Sequence, residues 1–301
     1  MKAVVTGASG FVGSALTRLL ANSGDEVVAL SRRTGGPDLT DRDAVRRTFD
    51  SLDVDVVFHL AAQSHVPTSW DDPIGTLRTN VEGTQNVLDA ASEGDSPPRV
   101  IVVTSAEVYG AVAPNELPID ETAPLRPNNP YAASKVAADA VAQQAALGRG
   151  QDVIRVRAFN HIGPGQSPKF VCPGLALRIA EAERSGVTEI DVGNIEVRRD
   201  FTDVRDVVAA YRLLAESGRS GETYNVCSGV DRSIGELANG LLALSTHDIH
   251  LVTNPDLLRP VDTPVVRGNN AKLVDHTGWA PEFAIEATLA DVLSEARASL
   301  T

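Results

Sequence analysis

The chain has 301 residues, of which 43% are hydrophobic and 22% charged, and its formal net charge is −13. Length and composition indicate one large globular domain or two closely packed ones. The negative charge argues against nucleic acid or an anionic membrane as the main partner. No apolar run reaches the ~20 residues that a membrane helix needs. Only two cysteines occur, Cys172 and Cys227, and the chain opens directly into a strand, so a cytoplasmic protein without a disulfide framework is predicted.

The first predicted unit is a strand over residues 3–6, a glycine-rich turn over 7–13 and a helix to Ala21. In a dinucleotide-binding unit the first glycine allows the tight turn, the second lets the backbone approach a pyrophosphate, and the third permits close helix packing. The helix N-terminus then receives the phosphate charge. A turn that serves packing alone is the alternative. The predicted cofactor contacts here are Gly7, Ser9, Gly10, Phe11, Val12 and Gly13.

The end of the second predicted strand bears on which nicotinamide cofactor binds. Enzymes that use NAD usually place Asp or Glu there for the ribose hydroxyls. This chain has Ser31-Arg32-Arg33, and a hydroxyl with guanidinium groups suits a 2′-phosphate. A solvated basic turn is the alternative reading. The sequence therefore favours NADP(H) and leaves NAD(H) open. The usual third-strand region is very short, and Asp38 and Leu39 are predicted to line the adenine pocket.

Two further strand ends are predicted to meet the same ligand. Residues 54–60 form a nearly continuous apolar run, typical of the centre of a parallel sheet, and small residues follow it. Leu60, Ala61 and Ala62 would let a cofactor pass close to the backbone. A strand over 101–103 then leads to Ser105. Ligands bind at the carboxyl edge of such sheets, so Ser105 is a candidate catalytic residue.

A helix is predicted after Asn129, since Pro130 suits a first helical turn and an Ala-rich run follows. Tyr131 and Lys135 then lie one turn apart on the same face. A phenol has a reference pKa of about 10, and a nearby ammonium is expected to lower it toward the working range. By itself such a pair is typical of a solvated helix face. The Ser105 hydroxyl is predicted to lie where these two side chains can meet it.

These motifs together resemble the extended short-chain dehydrogenase/reductase family of nucleotide-sugar epimerases, dehydratases and reductases. The resemblance implies an α/β fold, a Rossmann-type doubly wound parallel sheet with a smaller C-terminal α/β substrate domain. It also implies that Tyr131 is the proton donor or acceptor, that Lys135 tunes it and holds the nicotinamide ribose, and that Ser105 hydrogen-bonds the reacting oxygen. Asn80 resembles the family's asparagine, which supports the lysine through water.

The resemblance also implies an organisation for the whole chain. The predicted nucleotide-binding part is 1–160 plus about 200–227, and the predicted substrate part is 161–199 plus 228–301. The family commonly forms homodimers through two helices per subunit, packed as a four-helix bundle; here those helices would lie near 76–92 and 131–148. No metal site is predicted.

The second half resembles the GDP-mannose branch of the family, in the segments 157–166, 198–206 and 224–229. A GDP-sugar is therefore the expected substrate. Its diphosphate needs cations, for which Arg199 is the strongest candidate beside Lys169 and Arg259, although surface charge is the alternative for each. An amide supplies both a donor and an acceptor, and an apolar side chain can pack on guanine. The predicted substrate contacts are Glu107, Asn160, Lys169, Val171, Arg199 and Arg259.

The expected reaction is NAD(P)H-dependent reduction of the C4 ketone of GDP-4-keto-6-deoxy-D-mannose to GDP-D-rhamnose. Glu107 keeps a second reading open, because dehydratases of the family use a glutamate at this position to remove the C5 proton. The alternative is thus a redox-neutral GDP-mannose 4,6-dehydratase or a nucleotide-sugar 4-epimerase. A non-catalytic protein that senses the cofactor is a distant third possibility.

Overall fold

A computed structural model describes residues 1–94, 96–257 and 263–300. The first half contains, in chain order, β1 (Lys2–Thr6), α1 (Phe11–Asn22), β2 (Glu26–Leu30), α2 (Arg42–Phe49), β3 (Val56–His59), α3 (Val66–Asp71), α4 (Pro73–Leu77), a π-helical turn (Arg78–Glu82), α5 (Gly83–Ala91), β4 (Arg99–Val103), α6 (Pro130–Arg149) and β5 (Val153–Ala158). The second half contains β6 (Asn160–Ile162), α7 (Val171–Ser185), β7 (Glu189–Val192), β8 (Arg198–Asp203), α8 (Val204–Ser217), β9 (Thr223–Val226), β10 (Asp231–Ser233), α9 (Ile234–Leu242), β11 (His250–Thr253), β12 (Val265–Val266), α10 (Ala271–Thr277) and α11 (Ile285–Ala298).

The central sheet has six parallel strands in the order β2-β1-β3-β4-β5-β9. The inner strands β3 and β5 are buried along their whole length, as is usual at the centre of a parallel sheet with helices on both faces. Residues 31–55 are all described, and they contain the 3₁₀ turn Arg32–Thr34 and α2 but no strand. The short region where the third strand usually lies therefore adds no strand to the sheet, and β2 is its edge strand. The predicted fold class is confirmed.

Helices cover both faces of this sheet. On one face α1, α8 and α10 bury Leu16, Tyr211 and Leu273 against the strands. On the other face α2, α5 and α6 bury Val45, Val87 and Ala142. The carboxyl ends of the strands lie between these two helical layers, and they open toward the second half of the chain.

A separate hydrophobic core lies in the second half, where α7, α9 and α11 pack around Phe201 of β8. Strand β8 also pairs with β6, β10 and β12 in a small sheet. The division into two domains stays a prediction, but the C-terminal boundary needs correction. Residues 228–301 were expected on the substrate side, whereas Leu273 of α10 and Trp279 pack into the core of the nucleotide-binding half.

The residues at the N-terminus of helix α6 fix the position at which the helix begins. The Asn129 side chain accepts a hydrogen bond from the Ala132 N–H at 2.8 Å, and Pro130 occupies the first helical position. The helix ends at Gly150, whose φ of +68° is the left-handed conformation that glycine supplies at helix ends. Tyr131 is consequently held in the first turn of a 20-residue helix. Among the described residues, no helix has the length and apolar character to cross a membrane.

Candidate active site

One cavity of about 1410 Å³ extends along the carboxyl ends of the central strands to the loop before α7. Sites for a single small ligand usually measure roughly 300–1,000 Å³, so this cavity has room for a cofactor and a substrate together. It is lined by most of the residues that the sequence singled out, namely Gly7, Ser9, Gly10, Phe11, Val12, Gly13, Ser31, Arg32, Asp38, Leu39, Leu60, Ala61, Ala62, Ser105, Glu107, Tyr131, Lys135, Asn160, Lys169, Val171 and Arg199.

The glycine turn forms a cradle that side chains would fill. Gly7 has a φ of +71°, and a Cβ there would lie 2.8 Å from the backbone nitrogen of Ala61. A Cβ on Gly13 would lie 2.2 Å from the carbonyl oxygen of Gly7. The N-terminus of α1 has no side-chain cap and no acidic residue in its first turn. Its backbone amides therefore suit the pyrophosphate of a dinucleotide.

The residues after β2 place positive charge at one end of the cavity. Ser31, Arg32 and Arg33 all line it. The Arg32 guanidinium lies 3.8 Å from the Asp38 carboxylate. Hydrogen bonds from Thr40, with the Arg32 charge as a smaller contribution, hold the pKa of Asp38 below its usual value. The exposed Arg32 guanidinium is thus held in place by the Asp38 carboxylate, and such a guanidinium is suited to bind a phosphate.

Tyr131, Ser105 and Lys135 line the same part of the cavity. Burial raises the pKa of Tyr131 to about 12, and a hydrogen bond with Ser105 opposes that rise. Lys135 donates a hydrogen bond to the carbonyl oxygen of Val103 at 3.0 Å, and burial lowers its pKa to about 8. The net shift is opposite in direction to the lowering expected from Lys135, since desolvation of the phenolate is the largest contribution to the pKa of Tyr131. The raised pKa favours the protonated form of Tyr131.

Glu107 points toward the helix that carries Tyr131. Its carboxylate accepts a hydrogen bond from the Asn129 amide at 3.2 Å, and Asn129 also caps that helix. The negative charge of Glu107 raises the pKa of Tyr131, in addition to the larger effect of burial. Glu107 thus favours the protonated form of the tyrosine.

The predicted substrate residues lie on the opposite side of the cavity. Asn160 on β6, Lys169 on the following loop and Val171 at the start of α7 are all exposed and line the cavity. Arg199 donates hydrogen bonds to the carbonyl oxygens of Arg198 and Thr263, which hold its guanidinium at the cavity. Arg259 lies outside the described residues.

Asn80 is the one predicted and described site residue that does not line the cavity. It is 1% exposed. Its Oδ1 accepts from the Gln63 N–H at 2.7 Å, while its Nδ2 donates to the Gln63 carbonyl oxygen at 3.0 Å and to the Ser134 hydroxyl at 2.8 Å. The side chain therefore joins the loop after β3 to helix α6 from behind the cavity wall.

Several aromatic residues of the cavity were not predicted. His161 stacks on Phe11, with ring centroids 6.0 Å apart, and Phe170 meets the edge of His65 at 6.4 Å. Trp70 lines the cavity too, with 63% of its surface exposed. His65 and Trp70 follow β3, so the rule that ligands bind at the carboxyl edge could have identified them.

The fold and this cavity define the class of protein. Residues 3–227 match the NAD dependent epimerase/dehydratase family, and the chain belongs to that family. The resemblance noted from the motifs is confirmed.

The most informative relatives act on sugar nucleotides. GDP-6-deoxy-D-mannose reductase of Pseudomonas aeruginosa is 39% identical over 292 residues, covering 97% of this chain and 95% of the relative. The dTDP-glucose 4,6-dehydratase of Streptomyces griseus is 35% identical, over 81% of this chain and 79% of its own. Among solved structures, RMD from Pseudomonas aeruginosa complexed with NADPH has a TM-score of 0.91 and 38% identity, covering 99% of both chains.

Proposed function

We propose that the protein reduces the C4 ketone of GDP-4-keto-6-deoxy-D-mannose with NADPH and so forms GDP-D-rhamnose. The observation that carries this function is a tyrosine, a serine hydroxyl and a lysine that line one cavity together with a glycine turn. The near full-length similarity to a GDP-6-deoxy-D-mannose reductase supports the choice of substrate.

The residues of the chain supply proton transfer and orientation. Tyr131 donates its proton to the C4 oxygen, and its raised pKa favours the protonated phenol that this step needs. The Ser105 hydroxyl orients the same oxygen. Lys135, with a pKa of about 8, is mostly charged at neutral pH and stabilises the phenolate that remains. Fixing donor and acceptor in place supplies much of the acceleration.

The glycine turn, Ser31 and Arg32 would hold the cofactor, which supplies the hydride when bound. The basic residues after β2 support NADP(H) over NAD(H), since that strand end has no free acidic residue for ribose hydroxyls and Asp38 is occupied by Thr40 and Arg32. We assign the substrate's diphosphate to Arg199 and Lys169, its sugar to Asn160, and its guanine to Val171.

One assay tests the function. The purified protein is incubated with GDP-4-keto-6-deoxymannose and NADPH, cofactor consumption is followed by absorbance, and the product is identified by NMR. One NADPH consumed per GDP-D-rhamnose formed supports the proposal. Absence of cofactor consumption with this sugar would sink it.

A dehydratase is the second candidate, because Glu107 lies in the cavity beside the helix of Tyr131. Such an enzyme would convert GDP-mannose to its 4-keto-6-deoxy derivative with no net use of cofactor. A 4-epimerase would likewise be redox-neutral. Incubation with GDP-mannose and catalytic NADP⁺ separates these activities from the reductase.

We also propose a cytoplasmic homodimer. Cys172 and Cys227 are free and buried, as suits a reducing compartment. The predicted helices of the bundle correspond to α4–α5 and α6, where Leu77 and Leu147 are 38% and 74% exposed. Burial of these side chains against a second copy would give a four-helix bundle, for which light scattering should report twice the chain mass.

A further inference from the structure

A chain of buried hydrogen bonds runs from the wall of the cavity into the core behind it. It begins at Thr6, the residue before the glycine turn, whose hydroxyl is 2.9 Å from His59 Nδ1. His59 Nε2 is 3.0 Å from the Thr84 hydroxyl, which donates to the backbone carbonyl of Asn80 at 2.6 Å. These four residues are at most 3% exposed. The roles proposed above for the cavity residues use none of these hydrogen bonds.

The direction of the chain follows from its protons. The single hydroxyl proton of Thr84 goes to the Asn80 carbonyl, so Thr84 accepts from His59. His59 Nε2 therefore carries a proton, and Nδ1 of the neutral ring accepts from Thr6. Burial, with the charge of Lys135 as a smaller contribution, lowers the pKa of His59 to about 3 and keeps the ring neutral. Every donor in the chain has one acceptor.

The far end of the chain reaches the catalytic turn. Asn80 Nδ2 donates to the Ser134 hydroxyl at 2.8 Å, and Ser134 donates to the Tyr131 carbonyl oxygen at 2.7 Å. Asn80 lies in the π-helical turn Arg78–Glu82, a distortion that occurs often at functional sites. The hydrogen bonds thus connect β1, β3, the π-helical turn with α5, and α6.

We propose that this chain is a strut that fixes Tyr131 relative to the glycine turn, with His59 and Thr84 as positioning residues. The glycine turn follows β1, whereas Tyr131 lies on α6, and β1 pairs only with β2 and β3. A misplacement of about 1 Å between reacting groups can cost on the order of 100-fold in rate. The need for this link follows from the reductase function proposed above, in which the cofactor and the proton donor must meet at one carbon.

Thr84→Val removes the hydroxyl that bonds His59 and Asn80 but keeps the shape of the side chain. Thr84 does not line the cavity, so the substitution changes no group that would contact the cofactor or the substrate. We expect kcat to fall about tenfold or more while the dissociation constant of NADPH changes less than about threefold. Thr84→Ser restores the hydroxyl and should return kcat to within about twofold of the wild type. Thr288→Val is the matched control, because it removes an equally buried hydroxyl in the second core.

A purely structural role would lower the thermal stability of Thr84→Val and Thr288→Val alike and leave kcat of both intact below the melting temperature; that result would overturn the strut. If Thr84→Val does not fold, His59→Leu cuts the chain at its middle, at a buried residue that does not line the cavity. Hydrogen exchange at the amides of residues 131–135 gives a reading that needs no sugar. Faster exchange in Thr84→Val, but not in Thr288→Val, supports the strut even if the wild type fails to turn over GDP-4-keto-6-deoxymannose.

Discussion

The two walls of the cavity are built in different ways. The cofactor wall consists of backbone turns and buried side chains, such as Gly7, Lys135 and Tyr131, that are integral to the core. The predicted substrate wall contains more exposed side chains, such as Lys169 on a loop and the 40%-exposed Val171 at the start of α7. We therefore expect the fold to fix the hydride chemistry, and the choice of sugar to depend on residues that can change with little cost in stability.

The largest effect is expected at the catalytic centre of the cofactor wall. Tyr131→Phe removes the proton donor and should lower kcat by about 10³-fold, within the usual range for loss of a general acid. The fold and NADPH binding should be unchanged, as measured by circular dichroism and fluorescence titration. Tyr224→Phe serves as the control, because Tyr224 contacts His276 outside the cavity. Near-normal turnover by Tyr131→Phe would remove the tyrosine from the mechanism.

A methyl group in the glycine turn tests whether the cofactor wall tolerates change. Gly7→Ala should weaken NADPH binding by about 100-fold, because its Cβ must displace the backbone at Ala61. Gly24→Ala is the matched control, since Gly24 has a similar φ of +79° but no atom within 4 Å of an added Cβ. Equal binding losses in both variants would mean that backbone strain, and not the close approach, is responsible.

Acid should destabilise the core behind the cofactor wall. His59 has a pKa of about 3 when folded and about 6.5 when unfolded, so below pH 6.5 the unfolded chain binds a proton that the folded chain does not. Stability is therefore full above pH 6.5 and falls by about 2 kcal/mol between pH 7 and pH 5. Urea unfolding measures this slope, and His59→Gln should reduce it. An unchanged slope in that variant would assign the pH dependence to other groups.

Arg32 lies at the exposed end of the cofactor wall, and its removal should have a moderate effect. Arg32→Ala is expected to weaken NADPH binding by about tenfold through loss of a charged hydrogen bond to the 2′-phosphate. Binding of NADH, which lacks that phosphate, should be unaffected. A parallel loss for both cofactors would place Arg32 elsewhere on the dinucleotide.

The smallest effect is expected on the substrate wall. Val171→Ala removes two methyl groups from a side chain that is 40% exposed, so KM for the GDP-sugar should rise by about threefold with kcat unchanged. A large fall in kcat would show that this wall, too, positions the reacting carbon.

Much of the cofactor wall was predictable because its signals are local. The predicted second strand coincides with Glu26–Leu30, and the helix predicted over 131–148 is observed as Pro130–Arg149. Asn80 was predicted as a cofactor residue, yet it contacts Gln63 and Ser134 behind the wall. The π-helical turn that places Asn80 behind the wall cannot be predicted from the pattern of apolar residues.

Sequence by itself determined the parallel sheet, the glycine turn and the catalytic turn, because apolar periodicity, glycine spacing and helix capping act over a few neighbouring residues. Tertiary structure alone decided the directions in which the pKa values of Tyr131 and His59 shift. Both pKa values are set by burial under elements that are distant in the chain. It likewise decided that the hydroxyls of Thr6, Thr84 and Ser134 form one connected chain behind the active site.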